Sequence, residues 1–186
     1  SVTVQSTTPT GGARGASIGS AGISTINVDA DITVVTNAAA PNTLSASIYT
    51  SAAANVPNPT NTSAEISVPA GVYTVTVNAG RTVSMNAADA TAIGAYSPAG
   101  GIINLAATAA AVNLAGAAGN SVTTGTGPDI LMTAGIVTGA VAMGLGNDKI
   151  NLAGGSLAGD IYGDSRTGAS STDGDDDFIW SGGTWN

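Results

Sequence analysis

The chain has 186 residues, twelve acidic against four basic side chains, a formal net charge of −8, and neither histidine nor cysteine. Disulfides and the usual zinc, copper and haem ligand sets are therefore excluded, and so is the basic footprint that nucleic-acid binding needs. Hydrophobic residues make up 43% of the chain and aromatics only 4%, a supply of small apolar side chains suited to the thin core of a solenoid.

Val2 and Val4 alternate at the start and predict an edge strand, followed by a glycine-rich loop through Gly11-Gly12-Ala13-Arg14-Gly15 with Arg14 in solvent. Ile26, Val28, Ile32 and Val34 predict two short strands about an aspartate-stabilised turn at Asp29-Ala30-Asp31. Leu44, Ile48 and Tyr49 predict one strand, and Pro57 and Pro59 a loop. Ile66 and Val68 alternate, Gly71 turns the chain, and Val72–Val77 and Arg81–Met85 read as strands joined by the three-residue turn Asn78-Ala79-Gly80.

Residues 87–122 hold recurring cores, Asn104-Leu105-Ala106 and Asn113-Leu114-Ala115, with Asn151-Leu152-Ala153 returning later. The first two are nine residues apart. Stacked parallel coils would set these asparagines in a hydrogen-bonded ladder with the leucines inside. The competing reading is an alanine-rich helix through 104–118. The apolar anchors Ile103, Val112, Val122, Leu131, Val141, Ile150 and Ile161 repeat at nine or ten residues, which we read as half a coil of a flattened solenoid.

The last third carries the most specific pattern: glycine, any residue, glycine, any residue, aspartate, any residue, large apolar residue. It occurs at Gly125-Thr126-Gly127-Pro128-Asp129-Ile130-Leu131 and at Gly144-Leu145-Gly146-Asn147-Asp148-Lys149-Ile150. A poorer copy, aligned at 173–179, has Asp173 and Asp175 at the glycine positions and Asp177 at the aspartate position, and Gly159-Asp160-Ile161-Tyr162-Gly163-Asp164 lies between. Glycines permit a tight turn that points carbonyl oxygens inward. The aspartate adds a carboxylate, and calcium takes six to eight hard oxygen ligands. Two stacked turns are needed to surround an ion. The spacing predicts that Asp129 and Asp148 stack on one edge, and that Asp160 and Asp177 stack on the other.

Over roughly residues 125–179 the sequence resembles the calcium-binding β-roll repeats of hemolysin-type (RTX) secreted proteins. More loosely, its Thr, Ala, Val and Asn content is similar to that of bacterial surface-layer proteins carrying such repeats. The resemblance implies Ca2+ as cofactor, with Gly125, Gly127, Asp129, Gly144, Gly146, Asp148, Asp160, Asp164, Asp173, Asp175 and Asp177 as candidate metal-site residues.

The expected fold is all-β, a parallel β-solenoid or β-roll of short strands with calcium-binding glycine/aspartate turns in its C-terminal part. Three segments are expected: a β-rich region at 1–86, forming an irregular solenoid or a small β-domain; calcium-free coils at 87–124; and the RTX-like β-roll with an acidic, aromatic end at 125–186. Tyr162, Phe178, Trp180 and Trp185 would cover the open end of the solenoid or form a patch for a partner. The expected function is that of a secreted structural protein, not an enzyme. It would assemble outside the cell, on a bacterial surface, into a surface layer, matrix or filament, self-associating or contacting a cell-surface polysaccharide or lipopolysaccharide. No apolar run is long enough for a membrane-spanning helix. The rival is a secretion or adhesion module of a larger protein.

Overall fold

A computed structural model describes residues 2–6, 14–19, 24–36, 46–51, 55–58, 61–67, 72–86, 91–97, 99–105, 111–114, 120–164 and 174–186. The chain winds through three strands per coil. The first coil is β1 (Val2–Ser6), β2 (Arg14–Gly19) and β3 (Ser24–Val28). The second is β4 (Ile32–Thr36), β5 (Ala46–Ser51) and, after the hairpin β6 (Asn55–Asn58) and β7 (Asn61–Ser67), β8 (Tyr73–Val77). The third is β9 (Thr82–Asn86), β10 (Thr91–Tyr96) and β11 (Gly101–Leu105), and the fourth β12 (Ala111–Leu114), β13 (Asn120–Thr124) and β14 (Asp129–Thr133). The fifth is β15 (Ile136–Thr138), β16 (Ala140–Ala142) and β17 (Lys149–Leu152). The sixth is β18 (Ser156–Ala158), β19 (Ile161–Tyr162) and β20 (Asp177–Trp180), and β21 (Thr184–Trp185) begins a seventh.

Successive coils pair in parallel into three sheets, β1-β4-β9-β12-β15-β18-β21, β2-β5-β10-β13-β16-β19 and β3-β8-β11-β14-β17-β20. They run unbroken across positions 86 and 124. The fold is thus an all-β parallel solenoid, as the sequence predicts, but it has three sides. Ile103, Val112, Val122 and Leu131 fall in the third, first, second and third sheets in turn. The nine-residue repeat is therefore one side of a coil, not half of one.

Inward positions alternate along each strand, as a pleat requires, and stack from coil to coil. Ile26, Val75, Ile103, Leu131 and Ile150 form one buried column in the third sheet. Ile93, Val122 and Val141 form another in the second, and Val83, Val137 and Leu157 lie in the first. Burying each such side chain contributes roughly 1.5–3 kcal/mol. A narrow prism has few interior positions per coil, so branched aliphatic residues suffice and aromatics are not required.

Several local expectations change. Arg14 opens β2 instead of lying in a loop. Pro57 lies in the antiparallel hairpin β6–β7, where it pairs with Glu65; such a two-stranded ribbon has open edges that tolerate a missing amide. Asn78-Ala79-Gly80 is a solenoid corner, because β8 and β9 enter different sheets rather than pairing with each other. Asn104 and Asn113 lie on different sides of the prism, and Met132 separates Asn104 from Asn151 in its column, so the expected asparagine ladder does not form. No helix occupies the described parts of 104–118; β11, β12 and the turn out of β11 begin there instead.

Candidate functional site

The two full Gly-x-Gly-x-Asp copies form the corner between the second and third sheets, one coil apart. Gly144 has φ 92°, and a Cβ there would sit 1.9 Å from the carbonyl oxygen of Gly125. The Leu145 amide donates to that same oxygen at 2.9 Å. The backbones of consecutive corners are thus in direct contact, which only glycine at positive φ permits. The third copy is shifted by one residue from the sequence alignment. Lys149 pairs with Asp177 and Ile150 with Phe178, so Asp176 occupies the motif's aspartate position. Gly174 keeps the second glycine, with its virtual Cβ 1.7 Å from the Gly146 carbonyl oxygen.

The aspartates form a file along this corner. Asp129 is fully buried and Asp148 nearly so. The Asp129 amide donates to Asp148 Oδ1 at 2.8 Å, and the Asp148 amide donates to Asp176 Oδ1 at 2.9 Å. Each carboxylate therefore reaches back one coil and satisfies a corner amide that would otherwise be buried without a partner. At the other end of the file, Tyr73 Oη donates to Asp129 Oδ1 at 2.7 Å from two coils away. Gly101 makes this possible. It stands between Tyr73 and Asp129 in the register, and a Cβ on it would meet the Tyr73 ring at 2.5 Å. The tyrosine crosses the space that any other residue at 101 would fill.

Burial pushes the Asp129 carboxyl up to about 6, against the opposing pull of the hydrogen bonds from Tyr73 and Thr124. Burial likewise pushes Asp148 up to about 7; the Asp129 amide opposes this, and the charges of Asp129, Asp176 and Asp164 add to it. Burial also raises the Tyr73 hydroxyl, with the neighbouring Asp129 charge second. One oxygen of each inner carboxylate, Asp129 Oδ2 and Asp148 Oδ2, is buried with no hydrogen-bond partner.

Asp148 also faces a cavity of about 200 Å³ lined by Met143, Ile150, Gly163, Asp176 and Phe178 among others. The Asp176 carboxylate lies against Gly163, where a Cβ would meet its Oδ2 at 2.0 Å. The structure therefore brings Asp129, Asp148 and Asp176 together, with Asp164 close enough to act on Asp148. Asp160 and Asp177 do not stack: Asp160 is an exposed corner residue before β19, bonded to Tyr162 Oη at 3.1 Å, whereas Asp177 opens β20 in another sheet. Asp175 is exposed, its amide bonded to Asn147 Oδ1 at 3.2 Å. Asp173 lies outside the described residues. Among the described residues no group of three or more acidic side chains is placed so that it could hold a metal ion by itself. Any cation here would rely on the two or three file carboxylates together with carbonyl oxygens and water.

Sequence reasoning missed Tyr73, Gly101 and Asp176. The signal for Asp176 is the spacing Gly174-x-Asp176-x-Phe178, which matches Gly146-x-Asp148-x-Ile150. The signal for Tyr73 is its distance of 56 residues from Asp129, which is two coils only once a 28-residue coil is known.

The end of the solenoid is aromatic. Phe178, Trp180 and Trp185 occupy inward register positions above Ile150, Leu152 and Leu157, yet remain 40%, 56% and 46% exposed because no coil covers them among the described residues. The Phe178 and Trp185 rings meet with centroids 5.5 Å apart and planes at 56°. Both indoles are tied down, Trp180 to the Gly183 carbonyl at 3.3 Å and Trp185 to the Gly159 carbonyl at 3.2 Å.

No protein-family model matches the chain, and no curated protein or solved structure shows significant similarity to it. The architecture is that of a repetitive structural protein, without a catalytic or metal-holding cluster among the described residues. No helix among those residues is long and apolar enough to cross a membrane.

Proposed function

We propose that this chain is a secreted structural protein that assembles into a surface layer or related extracellular matrix on a bacterial cell, with calcium stiffening its C-terminal coils. The carrying observation is the continuous three-sided stack of parallel strands, whose last coil leaves Phe178, Trp180 and Trp185 half exposed. A rigid rod with a sticky end has a shape suited to building an array.

The calcium component rests on the orphaned oxygens of Asp129 and Asp148 and on the acidic cavity beside Asp148. Asp148, Asp164 and Asp176 would hold the ion with carbonyl oxygens and water, and its charge would offset the cost of ionising buried carboxylates. Calcium is abundant outside cells, so such a corner would be soft before export and firm afterwards. In this reading the flat outer faces of the sheets are free for neighbouring copies, a cell-surface polysaccharide or lipopolysaccharide.

Electron microscopy of the purified chain in millimolar calcium and in chelator tests the reading. Ordered sheets or filaments that depend on calcium are expected. A dispersed monomer in concentrated, calcium-replete solution would overturn it in favour of a module within a larger secreted protein.

A further inference from the structure

The solenoid has two ends that differ in chemistry. At the last coil, β19, β20 and β21 each have a strand partner on one side only among the described residues. Solenoids that stay single close such an end with a polar cap, but this one presents two tryptophans and a phenylalanine. Residues 159–186 carry six aspartates and one arginine, whereas residues 1–28 carry Arg14 as their only charged side chain. At the first coil, β1, β2 and β3 likewise expose one edge each among the described residues. Unpaired parallel edges on both ends are templates for each other.

Building on the self-assembly proposed above, we infer that the aromatic end of one copy stacks directly on the first coil of the next, and that each copy is turned by about a third of a turn about the solenoid axis. The turn follows from counting. The three sheets hold seven, six and six strands, nineteen in all, which is six full coils and one strand over. The next empty step after β21 is therefore above β19, in the second sheet. A second copy that continues the winding places its β1 above β19, its β2 above β20 and its β3 above β21. Its first sheet thus runs on from its neighbour's second. After three copies the strand count is divisible by three and the orientation repeats.

The side-chain sizes and charges suit this junction. β2 brings the small residue Ala16 to the core column, identified by its register with Ile48 and Ile93, and so sets it over Phe178. Two residues earlier, Arg14 then comes into register with Asp176, the last carboxylate of the file. β3 brings Ile26 and Val28 over β21, which carries Trp185. The contact is heterologous and does not close on itself, so it produces a filament rather than a dimer. With coils about 4.8 Å apart, nineteen strands at three per coil advance about 30 Å per copy.

Two variants test the junction on the whole chain. Trp180→Asp blocks the aromatic end, and Arg14→Asp places a like charge against it. Trp180 is more than half exposed, so the first variant should keep the wild-type circular dichroism spectrum and unfolding midpoint. Each variant alone should lose filaments, and mixing the two should give a discrete two-copy species joined through the intact ends. Helical reconstruction of the wild-type filament should show about 120° and about 30 Å per copy. Folded variants that still assemble like the wild type would overturn this junction while leaving self-assembly by another face intact. Wild-type protein that never assembles would overturn both. A filament with a different rotation would overturn the continuous winding.

Discussion

The two halves of the solenoid build the same prism by different means. In the earlier coils, 28 residues separate Val75 from Ile103 and Ile103 from Leu131. In the later coils Leu131 is followed 19 residues on by Ile150, and Val141 20 residues on by Ile161. The short coils still have three sides. They save length at the corners, where Gly144, Gly146, Gly155 and Gly159 take positive φ and lie against the backbone of the coil before. The long coils absorb their turns in longer connections, and one even carries the β6–β7 hairpin. Tight winding carries an electrostatic cost: it stacks buried aspartates one coil apart, where the earlier half has only Tyr73 and Gly101 in the same file.

This contrast predicts the largest effect at the tight corner. Gly144→Val forces a β-branched residue to φ 92° with its Cβ 1.9 Å from a carbonyl oxygen, and should cost at least about 3 kcal/mol in denaturant unfolding. Gly80→Ala, at φ 71° but in open space at a loose corner, should cost only about 1 kcal/mol. Equal losses at both sites would mean that the corners do not differ as described.

Tyr73→Phe removes the donor that joins the two halves of the file and strands Asp129 Oδ1. A loss of about 1–3 kcal/mol is expected. Differential scanning calorimetry would measure it, and an unchanged midpoint would mean that the contact contributes nothing.

The file also sets a pH dependence. Folding raises Asp129 to about 6 and Asp148 to about 7, above the ordinary carboxylate value. The folded state therefore binds these protons more tightly than the unfolded state. The resulting stability is fully present below the unfolded value, near pH 4, and is lost as pH rises through about 7. In chelator the melting temperature should fall across that window, by an amount corresponding to a few kcal/mol on the order-of-magnitude scale of such shifts. Asp148→Asn keeps an oxygen to accept from the Asp129 amide but removes the charge, so its profile should be flatter. If calcium binds here, adding it at neutral pH should raise the wild-type melting temperature and leave that of Asp148→Asn nearly unchanged. A wild-type profile that rises with pH in chelator would contradict the burial of the file.

The smallest effect is expected at Asp160, which is exposed and outside the file. Asp160→Asn should shift stability by no more than about 0.5 kcal/mol and leave the calcium response intact. Loss of that response would restore the opposite-edge site that the spacing of Asp160 and Asp177 suggested.

What the sequence determined by itself is what short-range chemistry encodes. Alternating Val, Ile and Leu set strands and their inward faces, and the repeated apolar spacing set a parallel solenoid. The Gly-x-Gly-x-Asp copies marked Asp129 and Asp148 as neighbours, since the separation of 19 residues is one coil there. The number of sides was decided only in three dimensions. A nine-residue repeat fits half of a two-sided coil or a third of a three-sided one, and corner geometry, not periodicity, distinguishes them. That choice controls every long-range pairing. It separates Asn104 from Asn113, and Asp160 from Asp177. It also brings Tyr73 across Gly101 to Asp129, a contact 56 residues long that depends on two intervening coils having the same length.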